Sequence, residues 1–363
     1  MSQFKILFFY FLNKSHNSLK RLKHFALKNT REKNPSGENE MSINNLIVSQ
    51  AAKNIGVSLR RLADGYFQLE HNGKICYSRS SDFSFENLMA YKMCGNKHIT
   101  AILLSENKLP VPTFRAFSRH EYDSALDFFL AQNKPMVVKP CSGTSSAVGI
   151  SIGVTSRLSF LRAFAKALCY SSSVMVEEYV QGDSYRFTVL NSKVLTVVHR
   201  IPAHIVGNGL NTVADLISRK NRAFFDPASE TRLFEPITVD GDVRSLLRYQ
   251  GLTLKSVPAN NVEIMLRRTT NASQGGEIVE VTNLCHSDYL QMAVKAANLM
   301  RTTLSGIDII AKDISSPFEK GTAFINEVNT TPGLRIVREP RVNGELDSKV
   351  GEEILAYAFN LDI

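Results

Sequence analysis

Two stretches in the C-terminal third, "SGIDIIAKDI" at 305–314 and "AFINEVNTTPG" at 323–333, constrain this chain more than any other feature. Both have the apolar, β-branched character of strands, yet Asp308 interrupts the first, and Glu327 and Asn329 interrupt the second. Side chains alternate across a strand, so residues two apart share a face. Glu327 and Asn329 therefore present oxygens on one side, about 7 Å apart along the chain. An unpaired carboxylate beside a core is costly, so that face must meet a compensating charge. The linking segment "KDISSPFEKG" allows the two strands to pair as an antiparallel hairpin, which would gather Asp308, Glu327 and Asn329. Two carboxylates and an amide oxygen make a hard donor set suited to Mg²⁺, with Glu327 placed to bridge two ions, as in phosphoryl chemistry. The plainer reading is a polar strand end in which Asp308 caps a turn.

A metal of this kind works on phosphates, and a second segment has the composition to hold them. In "VVKPCSGTSSAVGIS", 137–151, Lys139 ends an apolar strand and a run of Ser, Gly and Thr follows, with Ser145, Ser146 and Gly149 in it. Backbone N–H groups of such a loop can cup phosphate oxygens while the lysine reaches one from the strand. The spacing is neither that of a Walker loop nor that of a dinucleotide fingerprint, and an ordinary connecting loop has the same composition. Further on, "VMVEEYVQGDSYRFTVL", 174–190, joins two strands through an acidic turn able to line a base and ribose, although exposed Glu pairs are common.

The rest of the chain sets limits. At 363 residues, 44% hydrophobic and 21% charged, it reads as globular with two or three parts. The net charge of +9 is concentrated at the start, where residues 1–33 hold eight Lys or Arg against one acid, Glu32. The basicity is therefore a property of a terminal extension and not a nucleic-acid footprint. The apolar run Ile6–Leu12 is too short to span a bilayer and lacks a signal-peptide cleavage site. A poorly ordered extension over 1–43 is expected, with membrane-surface contact the less favoured reading and Met41 a second place where translation could begin. Five scattered cysteines without a CxxC pair suit a reducing cytoplasm. Cys141, with no base to activate it, is expected to pack. His199 and His204 read as strand-edge residues rather than metal ligands, and His286 stands either at a helix start or near a substrate. An Asn72-Gly73 hairpin and a helical run over 84–109 are expected, and 222–250 reads as polar and irregular. Runs of antiparallel strands with interspersed helices indicate an α+β fold rather than one doubly wound sheet.

Taken together, Lys97, Lys139 with its loop, the "VEEYV" turn, and then Asp308, Glu327 and Asn329 resemble, in that order, the ATP-grasp superfamily. The likeness is strongest to the ATP-grasp module of cyanophycin synthetases and bifunctional glutathione synthetases. It is carried by "VEEYVQGDSYRFTVL", "HRIPAHIVGNGLNTVADLI", "LKSVPANNVEIMLRRTTNASQGGEIVEVTN", "SGIDIIAKDIS" and "EVNTTPGLR" across about 44–340; "NEVNTTPG" is also similar to D-alanine–D-alanine ligases. The resemblance implies an α+β ATP-grasp fold in which two subdomains, about 115–185 and 186–363 of a unit spanning 96–363, clasp ATP behind a small α/β segment at 44–95. It implies that Lys97, Lys139, Ser145, Ser146, Gly149, Glu177, Glu178, Val180, Asp183 and Ser184 bind ATP. Asp308, Glu327 and Asn329 would hold two Mg²⁺ ions (or Mn²⁺), Arg267 and Asn271 would be catalytic, and Arg186, Arg200 and Arg335 would be candidates for substrate carboxylates. Two departures stand out: Ser184 occupies the usual ribose-binding acidic position, with Asp183 beside it, and the 141–149 loop is glycine-poor. Neither a Mur-ligase-like nor a γ-glutamylcysteine ligase domain is expected within these residues. The implied activity is an ADP-forming ligase that joins a small-molecule or peptide carboxylate to an amine. A D-alanyl-dipeptide-type ligase and a non-catalytic ATP-binding module are the alternatives, and self-association is left open.

Overall fold

The computed structural model describes residues 42–144, 147–226, 231–232, 235–270, 274–334, 341–342, 345–346 and 349–362. Helix α1 (Ile43–Asn54) starts where the Ser42 hydroxyl accepts the Asn45 N–H. A meander follows, β1 (Ser58–Arg61), β2 (Tyr66–His71), β3 (Lys74–Arg79) and β4 (Asp82–Phe83), in that spatial order. Its central turn is Asn72-Gly73, both at positive φ, the conformation a two-residue hairpin requires. The helical run predicted over 84–109 divides into α2 (Leu88–Cys94) and α3 (Lys97–Glu106). The division has a local cause. Asn96 caps the His98 and Ile99 amides with its side chain and bridges to Ser142 with its backbone. That places Lys97 at the first position of α3, facing inward.

A four-stranded sheet comes next, built from β5 (Phe114–Ser118), β6 (Met136–Pro140), β7 (Ser151–Val154) and β8 (Ser173–Glu178) in the order β5-β8-β6-β7. Helices α4 (Tyr122–Gln132) and α5 (Arg157–Leu168) bury its outer face around Phe117, Tyr122, Phe129, Phe160 and Phe164. The chain then enters β9 (Asp183–Leu190) and β10 (Lys193–Ile201) and leaves into a small lobe. The lobe contains β11 (His204–Val206), α6 (Val213–Ala223), a short ribbon of β12 (Phe225–Asp226) and β13 (Thr231–Arg232), α7 (Gly241–Tyr249) and β14 (Glu263–Met265). Helix α7 corrects the reading of 222–250 as irregular. Asp240 caps it through the Asp242 and Val243 amides, and only Val243 and Leu247 are buried. Two apolar contacts in nine residues are too few to show a helical period in sequence.

From the lobe the chain returns through β15 (Glu277–Glu280), α8 (Ser287–Leu299), β16 (Leu304–Ala311) and β17 (Ala323–Asn329), which complete a five-stranded antiparallel sheet in the order β15-β10-β9-β16-β17. One face of this sheet (Tyr185, Phe187, Val189, Val197, Ile307, Ile309, Ile325, Val328) packs on Leu104 of α3 and on Tyr289, Met292, Ala293 and Ala296 of α8. The other face looks across a cleft to the four-stranded sheet. After the ribbon β18 (Arg341–Val342) and β19 (Glu345–Leu346), α9 (Lys349–Phe359) closes the fold against α1. A Cβ on Gly351 would lie 2.9 Å from that of Ala51, so the two helices meet closely at that glycine. Among the described residues, no helix is long and apolar enough to cross a membrane.

The fully buried Phe187 carries the core face of the central strand. Phe187→Ala is expected to lower unfolding free energy by about 3–5 kcal/mol in urea titrations. The exposed Leu210 changed to Ala should stay within about 0.5 kcal/mol.

Candidate active site

The pairing of β16 with β17 decides which side chains reach the cleft. Asp308 lies opposite Glu327, and Gly306 opposite Asn329, but Ile309 lies opposite Ile325. Asn326 is thus an extra residue, a β-bulge. Strict alternation would turn Glu327 to the same side as the buried Ile325. The bulge resolves this conflict: Ile325 and Val328 remain in the core, while Asn326, Glu327 and Asn329 line the cleft.

Asp308 is buried and held by two arginines. Arg186, its neighbour across β9, donates through Nε to Oδ1 and through Nη2 to Oδ2 at 2.9 Å, and Arg200 of β10 donates to Oδ2 at 2.9 Å. Burial alone would raise the Asp308 pKa, but the two guanidiniums outweigh it and hold the carboxyl below its ordinary 3.8. Room for Arg186 comes from Gly306, where a Cβ would stand 2.7 Å from Arg186 Cδ. Arg186 and Arg200, the candidates for substrate carboxylates, are thus both paired with Asp308. Both line the cleft, but their donors are directed at Asp308 because the register sets them around it. Arg335 lies outside the described residues.

Glu327 pairs with Lys97 at 3.1 Å. The Lys97 ammonium also lies 3.4 Å from the Thr144 carbonyl, and its backbone N–H donates to the Cys141 carbonyl at 2.8 Å. Lys97 thus ties the 141–144 end of the loop to the acidic strand. Asn329 Nδ2 is buried without a partner. Turning that amide presents Oδ1 instead. Two carboxylates on paired strands, with an amide oxygen beside them, fit a small hard divalent cation. These three residues would hold it.

On the opposite wall, Lys139 and Glu177 form a buried ion pair at 2.6 Å. Glu178 pairs with the more exposed Lys134 at 2.6 Å. Glu177, Glu178, Val180 and Ser184 line the cleft with Lys139. Asp183 is not among these lining residues: alternation along β9 sends it to the other face, 3.8 Å from His199. Gly149 stands at φ +81°, where a Cβ would meet Pro140 at 2.7 Å. It shapes the loop, while Ala147, Ile150 and Ile152 face the cleft. Ser145 and Ser146 lie outside the described residues. The cleft measures about 440 Å³, within the range of sites that enclose a cofactor-sized ligand.

Arg267, the expected catalytic arginine, is paired within the lobe. Its guanidinium is buried in the lobe, donating to Asp240 at 3.0 and 2.8 Å and to the Thr238 carbonyl at 3.0 Å. The adjacent Arg268, Thr269 and Thr270 line the cleft instead. Sequence reasoning missed these three because "RRTT" gives no sign of which arginine turns inward. Asn271 lies outside the described residues. Burial pushes the Cys141 thiol up to about 11, so it is protonated at neutral pH. His286 caps α8, its Nδ1 accepting the Asp288 N–H at 3.3 Å. His199 stacks on Tyr185, and among the described residues no group of three or more His, Cys, Asp and Glu gathers as a metal site.

A cleft between two antiparallel α+β layers, with Lys139 on one wall and Asp308 and Glu327 on the other, defines the class: the chain has the ATP-grasp fold, and the likeness read from the sequence stands. Residues 103–210 match the family model described as D-ala D-ala ligase C-terminus. The chain is 30% identical over 324 residues to the glutathione biosynthesis bifunctional protein of Clostridium perfringens, covering 88% of this chain and 41% of that protein. It is 31% identical over 299 residues to the protein of the same name from Streptococcus agalactiae, covering 81% and 40%. The crystal structure of a bifunctional glutathione synthetase from Pasteurella multocida superposes with a TM-score of 0.62 at 26% identity, covering 88% of this chain and 44% of that one. The chain therefore spans about two fifths of the length of the curated relatives it matches.

Removing Asp308 leaves two guanidiniums without their shared partner. Asp308→Ala is expected to cost about 3 kcal/mol of stability in denaturant titrations at pH 7. Because the folded pKa is depressed, Asp308's contribution is complete above the ordinary carboxylate pKa and is lost as pH falls through the folded value. The wild-type/mutant difference should therefore persist at pH 5 and shrink only in stronger acid. Cys141 should resist iodoacetamide at pH 8 in the native protein and react after unfolding, as followed by mass spectrometry.

Proposed function

We propose that the protein is an ATP-dependent carboxylate–amine ligase, similar to a glutathione synthetase, acting in the cytoplasm. The observation that carries this reading is the opposition of Asp308 and Glu327 on paired strands, with Asn329 beside them, across a cleft from Lys139. On this reading Lys97 and Lys139 contact ATP phosphates. The backbone of Glu177, Glu178 and Val180 lines the base, and Ser184 faces the ribose. The small-residue segment after Lys139, with Ser145, Ser146 and Gly149, is assigned to the phosphates. The subdomains about 115–185 and 186–363 clasp the nucleotide between them.

Mg²⁺ ions, or Mn²⁺, held by Asp308, Glu327 and Asn329 would neutralise phosphate charge. An oxygen of the substrate carboxylate attacks the γ-phosphorus and the bond to ADP breaks, giving an acyl phosphate. The amine nitrogen then attacks the acyl carbon, phosphate leaves with the bonding pair, and the nitrogen gives up its proton. Little of this needs a protein base; positioning and charge complementarity do most of the work. Arg268, which lines the cleft, is better placed than Arg267 to face the developing oxyanion. The names of the relatives favour a peptide-like acid of the kind used in glutathione biosynthesis.

Hydroxylamine intercepts acyl phosphates, so the natural amine need not be supplied. Incubation with ATP, Mg²⁺ and pooled amino acids and short peptides should yield hydroxamate and ADP. Glu327→Ala should lower both by about 100-fold. ADP formation that survives this substitution would remove the reading. Thermal stabilisation by ATP with Mg²⁺ but no ADP would instead favour a non-catalytic ATP-binding module.

A further inference from the structure

Lys97 bridges two parts of the cleft that the proposed function assigns to different ligands. Its ammonium lies 3.1 Å from Glu327 Oε1 and 3.4 Å from the Thr144 carbonyl, and its side chain is only 9% exposed, against 28% for Glu327. On the reading above, Glu327 supplies metal-binding oxygens and Lys97 meets phosphate. Without ligands, each is the other's partner.

We propose that Lys97 is a lock on Glu327 that makes metal and nucleotide enter the cleft as a coupled pair. A cation arriving alone must draw Glu327 from Lys97 and leave an almost buried ammonium with one carbonyl. A nucleotide arriving alone must draw Lys97 away and leave Glu327 unpaired, opposite Asp308. Stranding one member of such a pair is costly. Arriving together, phosphate takes the ammonium and the cation takes the carboxylate, and neither group is stranded. This is a coupling free energy between two ligands, and it is reciprocal. The other ion pairs of the cleft behave differently. Lys139 pairs with Glu177, which is not a candidate metal ligand, and Asp308 is balanced by two arginines of its own sheet.

The inference rests on the proposed site but is tested without turnover, with Mn²⁺ as a paramagnetic probe and the full chain. In the absence of nucleotide, Lys97→Gln should bind Mn²⁺ about tenfold more tightly than wild type, the value of an ion pair worth about 1.4 kcal/mol. Lys97→Arg, which can keep the pair, should stay within about twofold of wild type. Lys193→Gln, which removes the same charge from an exposed pair with Glu353 outside the cleft, should also stay within about twofold. From the other side, Glu327→Gln should tighten ADP binding in EDTA about tenfold, so the lock remains testable if Lys97→Gln does not fold. Unchanged Mn²⁺ affinity in a folded Lys97→Gln, or equal tightening in Lys193→Gln, would overturn the lock while leaving the functional reading intact. Wild-type protein that binds no Mn²⁺ even with ADP would remove that reading and the lock together.

Discussion

The register between β16 and β17, with its single extra residue at Asn326, is the constraint on which the rest of the cleft depends. Ile307, Ile309, Ile325 and Val328 must face α3 and α8 to bury the sheet. Asp308, Glu327 and Asn329 must face away from that core, because unpaired carboxylates cannot be left in it. A regular strand cannot satisfy both demands along "INEV", since Ile325 and Glu327 would share a face. One bulge satisfies both. The apolar side then forms a rigid floor, and side chains fixed on strands are placed more accurately than side chains on loops.

Charge in the cleft is balanced locally. Asp308 has Arg186 and Arg200, Glu327 has Lys97, and Glu177 has Lys139. Each of these acids thereby has a cation beside it, and a lysine that turns to a phosphate leaves its carboxylate in need of a new partner. Gly306 belongs to the same design, since a side chain there would displace the guanidinium that holds Asp308. The proposed phosphoryl chemistry needs such a prearranged field more than it needs a reactive side chain.

Much of this was legible in the sequence. The α+β class, the acidic hairpin and the small-residue loop after Lys139 follow from alternation, turn residues and composition, and the superfamily from its motifs in order. What escaped depends on three-dimensional register. The bulge at Asn326 has no local sign in the sequence. The pairing of Arg186 and Arg200 with Asp308 was not visible because that partner is more than a hundred residues away in sequence. Asp183 and Ser184, or Arg267 and Arg268, are adjacent residues of which one faces the cleft, and only the pairing of the strands or the packing of the lobe decides which. Helix α7 was hidden because so few of its residues are buried.

The central claim is that a carboxylate oxygen is passed to phosphate on the way to an amide. The most direct measurement labels that oxygen. The protein would be supplied with ATP, Mg²⁺, pooled amino acids as amines and a pool of short peptides carrying heavy oxygen in their carboxyl groups, and the released phosphate would be read by phosphorus NMR. One heavy oxygen per phosphate, formed together with ADP, is the predicted result. Phosphate free of label, or AMP in place of ADP, would contradict carboxylate activation through an acyl phosphate.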